Sequence, residues 1–117
     1  MDKYELQDRT KNFAVRIFTM TEKLPGSIGT NIISKQIIRS STSMAANYRA
    51  ACRAKSKADF IYKLKIVAEE SDETLFWLEF IIAVNLMKEQ LLKKLLQEGD
   101  ELLSIFTSSI KTSKSKI

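Results

Sequence analysis

Histidine is absent from this chain of 117 residues, and cysteine occurs once, at Cys52. A lone cysteine excludes an intrachain disulfide. The lack of histidine excludes Cys/His zinc sites and the Ser-His-Asp and Cys-His catalytic centres. Paired carboxylates are then the only acid–base chemistry left. We therefore expect no metal site, no cofactor and no enzymatic activity.

Long apolar runs are also missing. The longest is FIIAV at residues 80–84, far short of the roughly 20 residues that span a bilayer. The opening residues MDKYELQDRTKN contain no apolar segment of the kind that a signal peptide needs. We predict a soluble, cytoplasmic protein without a membrane partner.

Proline and glycine are scarce, with one and three copies, and helix-favouring residues dominate the composition. Apolar residues recur at helical spacing in four segments, which predict helices over about 3–22, 28–54, 57–84 and 88–112. Pro25-Gly26 marks the first turn. Ser56 followed by Asp59 resembles a capping box at the start of the third helix. A polar tail over 113–117 is expected to fray.

Four amphipathic helices with short connections predict an all-α fold. The economical arrangement is an antiparallel up-down-up-down four-helix bundle. A chain of this length forms one domain, so we expect a single domain over residues 1–117.

The net charge of +5 is spread unevenly along the chain. Residues 1–54 hold nine Lys/Arg and four Asp/Glu, residues 55–84 hold four and six, and residues 85–117 hold six and four. A basic region beside an acidic one indicates either ordinary solvated helices or complementary contacts between subunits.

Four basic residues of the second helix fall within about 80° of one another at 100° per residue. Such a stripe is the footprint that phosphate binding needs. It makes RNA or DNA a candidate partner. The alternatives are an ordinary charged face, or arginines paired with acids of the third helix. The candidate nucleic-acid-binding residues are Lys35, Arg39, Arg49 and Arg53.

The stretch RSSTSMAANYRAA at residues 39–51 has small and polar side chains where a helix core usually has leucine. Helical spacing of the apolar residues continues through it, so a helix is predicted and a loop is not. Its serines and alanines suit a close approach of two helices. Ser43 and Asn47 lie one turn apart, and a buried amide must be paired. Glu73 and Ser71 are the candidate partners of Asn47.

The third helix carries a second apolar set opposite its core stripe. Large exposed apolar patches usually mark interfaces, and Trp and Tyr are common anchors there. We predict an oligomer interface on this face. The alternative is a wide helix that is buried on several sides within the monomer. The predicted interface residues are Tyr62, Ile66, Phe76, Trp77, Phe80 and Ile81.

Four carboxylates crowd together on the third helix, at Glu69, Glu70, Asp72 and Glu73. General acid–base catalysis or a divalent cation site would need such a cluster. No Gly-rich cation loop or further acidic motif accompanies it. We favour a solvated face, or partners for basic residues across a subunit contact.

Two stretches of the chain carry a family signature, RSSTSMAANYRAA and SKADFIYKLKIVAEESDETLFWLEFI. They resemble the 23S rRNA intervening-sequence protein family, known generically as four helix bundle proteins. The family shows Arg-x-x-x-Ser-x-x-x-Asn on its second helix. An Asp/Glu-Phe pair, an alanine and a Ser/Ala-x-Glu-Thr-x-x-Trp-Leu run follow on the third. The matching positions are Arg39, Ser43, Asn47, Asp59, Phe60, Ala68 and residues 71–78.

The resemblance covers roughly residues 13–110 and is strongest over 36–82. One departure is Tyr48-Arg49-Ala50-Ala51, because the family usually has a glutamate shortly after the asparagine. The resemblance implies a ring-shaped homopentamer. It also implies a fold like that of the accessory variability determinant of diversity-generating retroelements, a pentamer with a basic nucleic-acid-binding surface. Two functions stay open: an oligomer that binds nucleic acid, and a scaffold ring without a nucleic acid partner.

Overall fold

The computed structural model describes residues 1–115, and four α-helices account for most of them. They are α1 (Lys3–Thr21), α2 (Ile28–Ala51), α3 (Lys57–Ala83) and α4 (Glu89–Ser115). Helices α1 to α3 end one to three residues earlier than the spacing predicts. Helix α4 continues to Ser115, so residues 113–115 are helical where a fraying tail was predicted. Residues 116 and 117 lie outside the described part of the chain.

Side-chain oxygens cap the first three helices. Asp2, Ser27 and Ser56 each accept a hydrogen bond from the backbone N–H three residues later, at 2.9–3.1 Å. Each cap satisfies a donor that the first helical turn leaves free. The predicted capping box at α3 forms with one change, because the Asp59 carboxylate accepts from the backbone N–H of Lys55 and not from that of Ser56.

The turn between α3 and α4 depends on an asparagine. Asn85 has a φ of 61°, in the left-handed region that asparagine tolerates better than most residues. The backbone N–H groups of Asn85 and Leu86 donate to the carbonyls of Ile82 and Ile81, both at 3.0 Å. This is the Schellman arrangement that ends many helices.

The helices form an antiparallel four-helix bundle of 48 × 22 × 20 Å. Each helix packs on its neighbour in sequence, and within residues 1–115 the backbones of the diagonal pairs stay apart, although their side chains meet in the core. The most extensive contact joins α2 to α3, and the least extensive joins α1 to α4. Arg9 supports this last seam by donating to Glu98 at 2.7 and 2.8 Å, and it also pairs with Glu101. The hydrogen bond from Arg9 lowers the pKa of Glu98.

The core is built from one apolar stripe of each helix. Its fully buried members include Ile17, Ile37, Leu64, Leu78, Leu92 and Phe106. Tyr48 packs against Phe106 with ring centroids 5.6 Å apart, and burial raises the pKa of its hydroxyl. Gly99 lets α4 come close to this core, because a Cβ there would lie 2.7 Å from Leu75 Cδ2 and 3.3 Å from Phe13 Cζ.

Alanine substitutions at two helical glycines are expected to have opposite effects. At Gly29 a new Cβ meets no heavy atom within 4 Å, so Gly29→Ala should stabilise the fold by up to about 1 kcal/mol through helix propensity. At Gly99 the overpacking against buried Leu75 costs about 1–3 kcal/mol and outweighs that gain. Urea unfolding of both variants measures the difference. Equal stabilisation by the two substitutions would contradict the close approach at Gly99.

Candidate nucleic-acid and assembly surfaces

The segment from residue 23 to residue 58 contains seven basic residues and no acidic residue. Helix α2 lies within it and therefore carries only positive side-chain charge. All four predicted nucleic-acid-binding residues are exposed. Within residues 1–115, Lys35, Arg49 and Arg53 take part in none of the ion pairs of the fold. Lys35 and Arg49 lie on α2, 14 positions or about 21 Å of helix apart, and Arg53 lies in the turn that follows α2.

Arg39 differs from the other three, because its guanidinium reaches α3. It donates to Glu70 at 3.0 Å and also to Glu73. The hydrogen bond to Glu73 raises the pKa of Arg39. Pairing with acids of the third helix was one of the arrangements that the sequence left open. Arg39 is therefore a contact between helices and a poor candidate for binding phosphate.

Glu73 holds two side chains at once. Besides Arg39, it accepts a hydrogen bond from Trp77 Nε1 at 3.1 Å. Partial burial acts to raise the pKa of Glu73, but the hydrogen bonds from Arg39 and Trp77 outweigh it, and the pKa is lowered. Over residues 1–115, no group of three or more acidic or cysteine side chains is placed to hold a metal ion. Two members of the acidic cluster thus hold α2 against α3.

Asn47 is paired within its own helix. Its Nδ2 donates to the backbone carbonyl of Ser43 at 2.8 Å and lies 3.0 Å from Ser43 Oγ. The expectation that Glu73 or Ser71 would accept from Asn47 is therefore corrected. The Ser71 hydroxyl donates to the carbonyl of Val67.

The polar contact that joins α2 to α3 in the core is made by Ser40 and Thr74. Their hydroxyl oxygens lie 2.8 Å apart, and both residues are fully buried. Ser40 lies among the small residues of the second helix that the sequence predicted to suit a close approach. What it could not supply was the register that brings the two hydroxyls together.

Most of the apolar face predicted on α3 is accessible. Tyr62, Phe76 and Phe80 are 65%, 53% and 38% exposed, whereas Ile66 and Trp77 are half-buried. Phe76, Trp77 and Phe80 form one cluster, with ring centroids 5.0–6.0 Å apart. We call the exposed residues Tyr62, Phe76 and Phe80, with Ile66 and Trp77, the α3 aromatic face.

Ile81 does not belong to this face. It is fully buried and packs in the core of the bundle. Its assignment to the predicted oligomer interface is therefore corrected. The core stripe of α3 is wider than the spacing indicated, since both Ile61 and Ile81 contribute to it.

A groove of about 530 Å³ lies between α1 and α2. Phe18, which lines it, is 50% exposed, and Val15 is 55% exposed. Its apolar lining consists of Ala14, Val15, Phe18, Ala45 and Ala46, and Gln7, Asp8, Lys11, Thr42 and Arg49 complete it. This groove was not predicted from the sequence. Its signals were the small residues of α2 and the two apolar residues, Val15 and Phe18, that lie off the buried stripe of α1.

The fold and these surfaces define a small antiparallel bundle with polar seams between its helices. Over residues 2–108 the chain matches the family described as 23S rRNA-intervening sequence protein. The chain therefore belongs to this family, which confirms the resemblance found in its second and third helices.

A crystal structure from Bacteroides thetaiotaomicron, described as a protein of unknown function from the S23 ribosomal protein family, is 36% identical to this chain. The match covers 95% of this chain and 99% of that one, with a TM-score of 0.86. The comparison with curated proteins gave no significant match. None of the helices described over residues 1–115 combines the length and the apolar character needed to cross a bilayer.

Trp77 is the only tryptophan in the chain, and its Nε1 donates to Glu73. The tryptophan fluorescence therefore reports on the protonation of Glu73. Because the pKa of folded Glu73 is lowered, its stabilising contribution is complete above the ordinary glutamate pKa of about 4.3 and is lost as the pH falls through the folded value. We expect the Trp77 emission to change in that acidic range as the hydrogen bond weakens. A fluorescence titration measures this.

The matched control is Glu73→Gln, which keeps an acceptor for Trp77 but cannot titrate. The acidic step should be missing in this variant. A wild-type titration that superposes on that of the variant would refute the assignment to Glu73.

Proposed function

We propose that this chain forms a non-enzymatic oligomer that binds the phosphate backbone of RNA or DNA through Lys35 and Arg53. The observation that carries this proposal is the exposed basic side of α2, which lies in a segment without acidic residues. Phosphate contacts supply most of the affinity in sequence-independent binding. Cations without carboxylate partners are suited to such contacts.

The spacing of the basic residues supports an extended ligand. About 24 Å of helix separates Lys35 from Ala51 at the end of α2, and Arg53 follows two residues later. Neighbouring phosphates of one strand of a duplex are separated by about 3.4 Å along the axis. A nucleic acid lying along α2 would therefore pass both residues, whereas a small phosphorylated molecule would reach only one.

Self-association is supported by the α3 aromatic face. Tyr62, Phe76 and Phe80 keep a large part of their rings in water, and exposed apolar patches of this kind usually mark interfaces. An oligomer would also repeat the basic side of α2 around its axis and strengthen its field. The family resemblance makes a homopentamer our expected assembly.

A structural role for the acidic cluster supports the non-enzymatic part of the proposal. Glu70 and Glu73 are held by Arg39, and Glu73 also accepts from Trp77. The pKa of Glu73 is lowered by these hydrogen bonds, whereas a general acid that works at neutral pH needs a raised pKa.

The second candidate is a scaffold ring without a nucleic acid partner. The α3 aromatic face favours it. That surface consists of aromatic and apolar side chains, which suit a protein partner, and none of its five residues is a cation that could bind phosphate. The two candidates are separated by whether the purified oligomer binds nucleic acid at low salt.

Mobility shifts across a salt series test nucleic-acid binding. We expect Lys35→Glu with Arg53→Glu to weaken binding and to flatten the plot of log K against log salt by about 0.9 for each phosphate that is no longer neutralised. Lys93→Glu with Lys94→Glu changes the net charge equally on α4 and serves as the control. A salt slope near zero, or equal weakening in both double variants, would contradict the role of α2.

Light scattering tests self-association. At micromolar concentration the wild-type protein should have a mass at least twice the 13.4 kDa of one chain. The apolar area of the α3 aromatic face is the driving force. A mass of one chain would refute the oligomeric part of the proposal and leave nucleic-acid binding to be judged by the salt series.

A further inference from the structure

The molecule carries two separate apolar surfaces of different shape. The α3 aromatic face projects from a single helix, with Phe76 and Phe80 on its outer side. The groove between α1 and α2 is a concave surface with alanines in its lining. A helix can lie in such a groove, because small side chains allow the axes of packed helices to approach to about 8 Å.

The charges around the two surfaces are opposite. Helix α2 has three basic residues and no acid, whereas α3 has six acidic residues and three basic ones, a net of −3. On the groove side Lys11 and Arg49 outnumber Asp8. On the α3 side the exposed Glu69 and Asp72 outnumber the exposed Lys65, and neither acid has an ion pair within residues 1–115. Each surface thus matches the other in charge as well as in shape.

Neither surface matches itself. Two α3 aromatic faces placed together would bring the exposed Glu69 and Asp72 of both copies into one interface, and like charges there are unfavourable. Two grooves placed together would enclose a space with no side chain to fill it. A symmetric interface made of either surface alone is therefore disfavoured.

We infer that the α3 aromatic face of one copy docks in the α1–α2 groove of a second copy. This inference rests on the proposed self-association and specifies its interface. Phe76 and Phe80 lie against Val15, Phe18 and the alanines of the groove, and Glu69 and Asp72 lie near Lys11 and Arg49. Every copy then uses two different surfaces, so the contact is head-to-tail and continues until the assembly closes into a ring.

The interface also divides the exposed basic residues of α2 and of the turn that follows it. Arg49 lines the groove and is covered when the groove is occupied. Lys35 and Arg53 do not line it and stay available to a phosphate backbone. These two residues are therefore the ones to reverse in charge when nucleic-acid binding is tested without disturbing the assembly.

Two matched variants test the head-to-tail contact. Phe18→Glu alters the groove and Phe76→Glu alters the α3 aromatic face, at positions that are 50% and 53% exposed. Each variant keeps one intact surface. Each alone should be monomeric at concentrations where the wild-type protein is oligomeric, with association weakened by roughly 30-fold or more, as expected for disruption of an interface hot spot. Leu91→Glu, an exposed position on α4 outside both surfaces, should keep the wild-type mass.

Mixing the two variants gives the decisive result. The intact α3 aromatic face of Phe18→Glu can dock in the intact groove of Phe76→Glu, and the chain of contacts then stops. We expect a one-to-one heterodimer, of about twice 13.4 kDa, by light scattering. Native mass spectrometry with one variant tagged identifies it. Circular dichroism and thermal unfolding verify the fold, and Ala46→Glu replaces Phe18→Glu if that variant does not fold.

Two results would overturn the inference while leaving self-association intact. One is a groove variant that keeps the wild-type mass while Phe76→Glu is monomeric, which indicates a contact between two α3 faces. The other is a mixture of two folded monomers that forms no heterodimer. A monomeric wild-type protein overturns the proposed self-association together with this interface.

Discussion

The buried seam between α2 and α3 is the contact on which the rest of the structure depends. Ser40 and Thr74 meet there at 2.8 Å, fully removed from water. Their small side chains allow a close approach, and one hydroxyl donates a hydrogen bond to the other. A shift of one helix by a turn would break this bond and leave Ser40 and Thr74 with only the carbonyls of Ile37 and Glu70 in their own helices, at a cost of about 0.5–1.5 kcal/mol for the lost hydrogen bond. The seam therefore fixes the register of the two helices that share the most extensive contact.

That register separates the charges of the molecule. It places Arg39 beside Glu70 and Glu73, so that one arginine of α2 is paired within the fold. The remaining basic residues of α2 stay in water, and the acidic residues of α3 surround an apolar face. In this register Arg39 is paired within the fold, whereas Lys35 and Arg49 take part in none of the ion pairs within residues 1–115.

The sequence alone predicted the four helices and the bundle because apolar periodicity, capping residues and turn signals are local properties. It also located most of the α3 aromatic face, since a second apolar stripe on one helix is visible in the spacing. It could not distinguish Arg39 from Arg49, because that difference depends on which neighbouring helix each side chain reaches. Ile81 was misplaced for a related reason: the width of a buried stripe depends on how closely two neighbours pack. The groove needs two helices side by side, so the small residues of α2 indicate it only once α1 is known to lie beside them.

The thin seam between α1 and α4 has a thermodynamic consequence. Helix α1 is held mainly by α2, with Arg9 joining it to Glu98 and Glu101 on the far side. An element with few packed neighbours opens at a lower free energy than the rest of the fold, so α1 and α4, which share this seam, are less firmly held than α2 and α3. Because α1 forms one wall of the groove, only the docked state of α1 can bind a partner there. Any occupant of the groove therefore opposes the opening of α1. If the occupant is a second copy of the chain, the local stability of α1 rises with protein concentration.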